Sequence, residues 1–193
     1  DLGSTHDAGP VCGTLRSAVD GLVDTHGVVI ARNGTVYYSA IAGVGHVTPT
    51  GAPELYAILP AGTTVSGLAL DAANAHVYAG SPSAHVVYAI DATHATGTVT
   101  TLVPAAGTPE GVTMGPDGAV YFTDLAGGDV HRVDVATMAE TTVTTSTIDQ
   151  PKGLIFAPGD ATTLYVLSSG AGALLRLTLG ADHRESARAT LAT

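Results

Sequence analysis

Residues 109–124 read Pro109-Glu110-Gly111-Val112-Thr113-Met114-Gly115-Pro116-Asp117-Gly118-Ala119-Val120-Tyr121-Phe122-Thr123-Asp124. Three related stretches begin at His26-Gly27-Val28, Ser66-Gly67-Leu68 and Lys152-Gly153-Leu154. The four glycines are 40, 44 and 42 residues apart. Four tyrosines keep nearly the same step, with spacings of 41, 43 and 44, at Tyr37, Tyr78, Tyr121 and Tyr165. A segment of about forty residues therefore occurs four times.

Each copy divides into four short apolar segments separated by turn residues. In the third copy the segments are 111–114, 120–124, 130–135 and 140–145. Pro116-Asp117-Gly118 separates the first two, with proline presetting φ and glycine supplying a positive φ. β-branched and aromatic residues dominate segments of this length, which indicates strands rather than helices. Four strands per copy and a period in the low forties are typical of β-propeller blades.

The predicted fold is all-β, a propeller of about four four-stranded antiparallel blades near residues 21–63, 64–107, 108–149 and 150–193. Residues 1–20 form a separate N-terminal segment. Within it, residues 13–18 resemble residues 100–105, the outermost strand before the third copy, and so predict a strand that completes a blade. Two arrangements remain open. The four blades either close on themselves or form part of a ring of five or six blades.

Composition narrows the classes of partner. The 193 residues include 17 acidic and 7 basic side chains, for a formal charge of −10, and Lys152 is the only lysine. Nucleic acid and anionic membranes require clustered Lys and Arg, so neither is expected as a partner. No apolar run approaches the roughly eighteen residues of a membrane span. The scarcity of lysine and the richness in Thr, Ser and Ala favour an extracellular or cell-envelope location.

Two local features leave alternatives open. Cys12 is the only cysteine, so it is either a free thiol or one half of an intermolecular bridge. Asn33-Gly34-Thr35 fits a glycosylation sequon, but Asn-Gly is also an ordinary hairpin turn.

The stretch at 109–124 resembles NHL-type propeller repeats. It is also similar to blades of the gluconolactonase/senescence-marker-protein family and of the streptogramin lyase family. The resemblance covers residues 21–193 and implies a propeller that is a divalent-metal lactonase, a lyase, or a module that binds proteins, peptides or sugars. Lactonase members typically carry a metal-binding Asn before a Gly-Leu; the residues before the corresponding Gly here are His26, Ser66, Glu110 and Lys152. The Trp-Phe-Thr-Glu motif of the lyases reads Tyr121-Phe122-Thr123-Asp124.

Candidate site residues follow from blade geometry. The first strand of a blade begins, and the second ends, at the same face of the ring, around the mouth of the central channel. The predicted mouth therefore combines two sets of residues: His26, Ser66, Glu110 and Lys152 before the first strands, and Ala40, Ser81, Asp124 and Ser168 at the ends of the second strands. Diverse polar residues on a repeated scaffold are typical of a binding site.

Two interpretations of the acidic mouth residues remain open. Glu110 and Asp124 would hold a divalent cation with His26 as a third ligand, and oxygen ligands of this kind suit Ca²⁺ or Mg²⁺, whereas an imidazole shifts preference toward Zn²⁺ or Mn²⁺. Alternatively, Glu110 pairs with Lys152 across adjacent blades.

Three functions follow from these alternatives. The favoured one is a non-catalytic propeller that binds a protein, peptide or glycan at its mouth, or associates with itself. The second is a metal-dependent lactonase-type hydrolase, with Glu110 and Asp124 as ligands and His26 as general base. The third is a structural subunit of an extracellular assembly.

Overall fold

The computed structural model describes residues 25–48 and 51–193, which form sixteen strands. The strands form four separate four-stranded sheets, each an antiparallel meander in chain order. Four β-propeller blades of four strands each are therefore confirmed. The predicted strand at 13–18 lies outside the described residues. No helix in the described ranges is long and apolar enough to cross a membrane.

The strand bounds follow the predicted segments closely. Blade 1 consists of β1 (Val28–Ile30), β2 (Val36–Ala40), β3 (Gly43–Val47) and β4 (Glu54–Ile58). Blade 2 consists of β5 (Leu68–Leu70), β6 (His76–Ser81), β7 (Val86–Asp91) and β8 (Thr98–Pro104). Blade 3 consists of β9 (Pro109–Met114), β10 (Val120–Asp124), β11 (Asp129–Val133) and β12 (Glu140–Thr142). Blade 4 consists of β13 (Pro151–Phe156), β14 (Thr163–Ser168), β15 (Ala173–Leu179) and β16 (Glu185–Ala192).

The blades pack face to face through three apolar cores. The repeat tyrosines contribute one side of each core: Tyr37 toward blade 2, Tyr78 toward blade 3 and Tyr121 toward blade 4. The other side comes from the next blade, for example Phe122 of blade 3 and Leu164 of blade 4, both fully buried. A single meander cannot cover both of its faces, so each blade depends on its neighbours for burial of apolar area.

The first strand of every blade lies on the inside, and successive first strands lie side by side from β1 to β5, β9 and β13. Along their length they line a cavity of about 460 Å³ whose walls include Val29, Ala69, Thr113 and Leu154. In the described part of the chain, no comparably close approach joins β13 back to β1.

Candidate functional site

The first-strand residues predicted for the mouth come together in the structure. A cavity of about 340 Å³ is lined by His26, Ser66, Glu110 and Lys152, together with the glycines that follow three of them. We call these four residues the mouth. They come from four different blades, so the cavity exists only because the blades pack in order.

In blades 3 and 4, the first two strands pair irregularly at the mouth, which leaves backbone groups there available for contacts with the neighbouring blade. Between β9 and β10 the register shifts, so Glu110 and Gly111 have no direct partner in the ladder. The same shift leaves Lys152 and Gly153 unpaired between β13 and β14. A bulge of this kind turns backbone groups out of the sheet. Those groups then face the neighbouring blade.

The glycines after the mouth residues permit this contact. A Cβ added to Gly27, Gly67 or Gly111 would lie closer than 3.0 Å to a carbonyl oxygen of the next blade. Those oxygens belong to Ser66, Glu110 and Lys152 in turn. The amide of Gly67 also donates a 2.7 Å hydrogen bond to the Glu110 carbonyl. Glycine is therefore required because adjacent backbones touch there.

Two hydroxyl side chains that sequence reasoning did not select hold the mouth in place. Ser39 is fully buried, and its Oγ accepts hydrogen bonds from the amides of His26 (2.6 Å) and Gly27 (2.9 Å). Thr123 Oγ1 accepts from the amide of Gly111 (2.8 Å) and donates to the carbonyl of Lys152 (2.7 Å). Both hydroxyls stand two residues after a repeat tyrosine, which is the sequence signal that identifies them.

The two charged residues of the mouth, Glu110 and Lys152, lie in different surroundings. Ser66 is buried, and its Oγ donates a short hydrogen bond to Oε2 of the half-buried Glu110. Lys152 is exposed, and no ion pair joins it to Glu110 within the described ranges. The predicted Glu110–Lys152 pair is therefore replaced by a Glu110–Ser66 hydrogen bond. The single lysine lines the cavity and is exposed to solvent.

The polar residues of the second predicted set bond backbone groups next to their strands, and Ala40 has no polar side-chain atom. Asp124 accepts hydrogen bonds from the amides of Thr108 (2.8 Å) and Ala126 (3.1 Å). Ser81 Oγ accepts from the amide of Ala84 (3.2 Å), and Ser168 Oγ donates to the carbonyl of Asp149 (2.6 Å). Ala84 and Ala126 belong to turns after the second strands, whereas Thr108 and Asp149 lie just before the first strands of blades 3 and 4, so these short side chains satisfy backbone groups of both connections. None of the three lines the cavity at the mouth.

The same placement bears on the predicted metal site. Glu110 and His26 both line the cavity, but Asp124 does not, and its Oδ1 accepts hydrogen bonds from the amides of Thr108 and Ala126. No group of three or more His, Cys, Asp or Glu side chains with the geometry of a metal site occurs among the residues that the structure describes. The arrangement therefore does not support a centre made of Glu110, Asp124 and His26.

A cluster of charged and polar side chains lies at the opposite end of the blades. There Asp117 accepts hydrogen bonds from Arg132 Nε (2.8 Å) and Tyr121 Oη (3.2 Å), and His183 of blade 4 lies 3.5 Å away. Burial alone would raise the pKa of Asp117, but the hydrogen bonds and charge of Arg132 outweigh it and hold that pKa below its usual value. Burial and the neighbouring Asp117 raise the pKa of Tyr121. The cluster fixes blade 3 rather than forming a site.

The fold and the position of the mouth define the class of the protein as a β-propeller. No protein-family model matches the sequence, and no curated protein matches it. Solved structures do. The chain superposes on a virginiamycin B lyase from Staphylococcus aureus with a TM-score of 0.70 and 21% identity, covering 87% of this chain and 55% of the lyase chain.

Two further structures show how varied the similar propellers are. A gluconolactonase from Xanthomonas campestris has a TM-score of 0.72 and 19% identity, with 89% of this chain and 63% of that chain covered. A chain of the nidogen/laminin complex has a TM-score of 0.73 and 16% identity, with coverages of 88% and 65%. The predicted resemblance to such propellers is confirmed for the fold. The chain spans between half and two thirds of the length of these structures.

Proposed function

We propose that this chain is a non-catalytic binding module of the propeller class, with its ligand site at the mouth. The observation that carries the proposal is the contrast within the repeat. A glycine follows the mouth residue in every blade, whereas the four mouth residues themselves differ in charge and hydrogen-bonding capacity. The close contacts between blades at the mouth are made by the glycines and the backbone, and the side chains of Ser66 and Glu110 add one hydrogen bond, so packing alone does not call for four different side chains.

The chemistry of the mouth favours a ligand with both an anionic group and a hydrogen-bond donor. Lys152 presents an exposed ammonium group, and the carboxylate of Glu110 keeps acceptor capacity beyond its bond from Ser66. A volume of about 340 Å³ lies at the small end of the range for ligand pockets. It suits a peptide terminus or a sugar acid, presented by a protein, peptide or glycan partner. The similarity to a chain of the nidogen/laminin complex supports a partner protein as the carrier of this group.

An array of peptides and glycans probed with the purified chain tests this function. We expect selective retention of ligands that carry a carboxylate, sulfate or phosphate beside a hydroxyl or amine. Glu110→Gln and Lys152→Met should each weaken binding by about tenfold or more, because charge-assisted hydrogen bonds contribute about 1.5–3 kcal/mol. Glu54→Gln is the matched control, since it neutralises an exposed carboxylate in blade 1, away from the mouth.

The same variants separate binding from the lactonase alternative. Lactone hydrolysis would be followed with the wild-type chain in the presence of Ca²⁺, Mg²⁺, Zn²⁺ or Mn²⁺. We expect no metal-dependent turnover. Turnover that disappears in Glu110→Gln but persists in Glu54→Gln would overturn the non-catalytic proposal. An extracellular or cell-envelope location is part of the proposal and would be checked by fractionating cells that produce the protein.

A further inference from the structure

The contact between successive blades is one interface repeated three times. We call the side of a blade that meets the preceding blade its front face and the side that meets the following blade its back face. In each core the back face supplies the repeat tyrosine and the front face supplies a residue of the next first or second strand. The described chain therefore also presents two half-interfaces: the front face of blade 1 and the back face of blade 4.

Gly153 of blade 4 stands at the position where the other three blades have a glycine in contact with the next blade. Within the described residues, no neighbouring backbone contacts Gly153. Gly27, Gly67 and Gly111 each lie against a carbonyl of the next blade. An added Cβ on Gly153 would meet nothing nearer than Leu167 of its own blade, at 3.3 Å. Its φ is outside the range that demands glycine. Nothing within the described chain requires a glycine at 153, whereas an approaching backbone would.

The rest of the back face of blade 4 shows the same difference. The tyrosines Tyr37, Tyr78 and Tyr121 are 6%, 4% and 1% exposed, whereas Tyr165 is only half-buried. Ile155 and Leu167 are 61% and 51% exposed. A cavity of about 460 Å³ opens beside Leu167 and Leu174, with mostly apolar walls. This apolar surface is larger than isolated exposed side chains would explain.

The front face of blade 1 has the complementary character. Val28 and Ile30 are 65% and 69% exposed, although Leu68 and Val112, which stand at the position of Val28 in blades 2 and 3, are 6% and 7% exposed. Tyr38 lies on the same face, directly opposite Val28 in the register, but it is only 9% exposed and its ring lies against Gly45 of its own blade, so Val28 and Ile30 are the residues that this face presents. Both halves of the repeated interface are thus present on one polypeptide and at equal concentration in any solution of it.

We propose that the back face of blade 4 receives the front face of blade 1 from a second copy of this chain. The backbone of the incoming first strand would lie over Gly153, and Val28 and Ile30 would pack on Ile155, Leu167 and Tyr165. This contact joins different surfaces of the two copies, so it is head-to-tail and can extend into a ring or an open chain of copies. It continues the three cores already present in the molecule.

Sedimentation of the full chain at 1–100 μM in 0.15 M salt tests the assembly. We expect wild type to form dimers or larger species as concentration rises. Val28→Glu and Ile155→Glu should each weaken association by about tenfold or more, because each buries a charge in the contact. Ile41→Glu is the matched control, since Ile41 is 60% exposed at the β2–β3 turn and belongs to neither face.

Mixing the two variants gives the decisive measurement. Val28→Glu keeps an intact back face on blade 4, and Ile155→Glu keeps an intact front face on blade 1. A head-to-tail contact therefore predicts that an equimolar mixture forms a heterodimer and nothing larger, while each variant alone stays monomeric. A mixture that remains monomeric beside an associating wild type would overturn the proposal.

Gly153→Ala provides a test that does not depend on introduced charge. It should leave the melting temperature of the monomer unchanged and weaken association by about tenfold, because the methyl group blocks the approaching backbone. A wild type that stays monomeric at 100 μM would overturn the proposal. If Val28→Glu and Ile155→Glu then unfold the monomer, these faces are covered by another part of the same chain, and a second copy is excluded as the occupant.

Discussion

The two ends of the blades carry different kinds of polar residue. At the end opposite the mouth, the first hairpin of every blade is closed by an Asn or Asp whose Oδ1 accepts a backbone amide hydrogen bond. These residues are Asn33, Asp71, Asp117 and Asp160, with bonds of 3.0, 2.7, 3.3 and 2.8 Å. At the mouth, by contrast, the positions that correspond to one another in the four blades carry four different side chains. We call the first region the hairpin end.

The difference teaches which constraint acts at each end. A tight hairpin leaves amides that only a short acceptor side chain can satisfy, so the same chemistry recurs at the hairpin end. At the mouth the backbone contacts are satisfied by glycine, neighbouring carbonyls and the buried hydroxyls of Ser39 and Thr123. These backbone contacts do not depend on which side chain precedes the glycine, so the mouth side chains can differ between blades, and Ser66 and Glu110 add a hydrogen bond between blades 2 and 3.

The largest expected loss of stability comes from replacing a glycine at the point where two blades touch. Gly111→Ala would force a Cβ into the Lys152 carbonyl and separate blades 3 and 4. We expect the free energy of unfolding to fall by about 3 kcal/mol, the upper end for overpacking of a tight contact. Urea denaturation measures it. Gly153→Ala is the control, with little change expected in the monomer, and equal losses in the two variants would refute the distinction between them.

The second prediction concerns the hairpin end. Asp117→Ala removes the acceptor for Arg132 and Tyr121, which are both packed against blade 3. A partly buried guanidinium and a buried phenol would lose their partner, and we expect a loss of about 2 kcal/mol. Asp182→Ala, in the exposed β15–β16 turn, is the control with a smaller effect. A loss below about 0.5 kcal/mol for Asp117→Ala would place it among ordinary surface substitutions.

The third prediction is a dependence of stability on acid pH. Burial opposes ionisation of Glu185, but hydrogen bonds from Arg188 and Thr145 hold its pKa below the ordinary value of 4.5. The pKa of Asp117 is likewise held below 3.8. A carboxyl whose folded-state pKa is lowered stabilises the fold above its unfolded pKa, and this contribution disappears as the pH falls through the folded value.

Stability from these two groups should therefore be constant above about pH 5 and decline below pH 4. Urea midpoints measured from pH 7 to pH 2.5 check this. Asp117→Asn should flatten part of the decline. An identical profile for wild type and Asp117→Asn would contradict the assignment.

The smallest expected effect is at the mouth itself. Lys152→Met removes an exposed ammonium that has no ion-pair partner in the described part of the chain. We expect the free energy of unfolding to change by less than about 0.5 kcal/mol, as for other surface substitutions. A thermal melt measures it. A large loss would mean that Lys152 has a structural task and would weaken the case for a binding role.

Sequence reasoning predicted the blades and the four residues that line one cavity between them. The spacing of Gly111 and Tyr121 with their counterparts predicted the sheets, because a repeat must bury equivalent residues in equivalent places. The same logic located His26, Ser66, Glu110 and Lys152 together. It also predicted Asp124 for the mouth from its position at a strand end, whereas its carboxylate bonds the amides of Thr108 and Ala126 and does not line the cavity. Position along a strand does not determine where a short polar side chain finds its hydrogen bonds.

By itself, the sequence determined the all-β class, the four strands of each blade and the hairpin turns, since these depend on local propensity and on the repeat period. The tertiary structure alone decided three further points. Glu110 bonds Ser66 rather than Lys152, Ser39 and Thr123 hold the mouth backbone, and Gly153 stands open where its three counterparts are covered. All three depend on which backbone of a neighbouring blade comes within contact distance, and residues about forty positions apart carry no local signal of that.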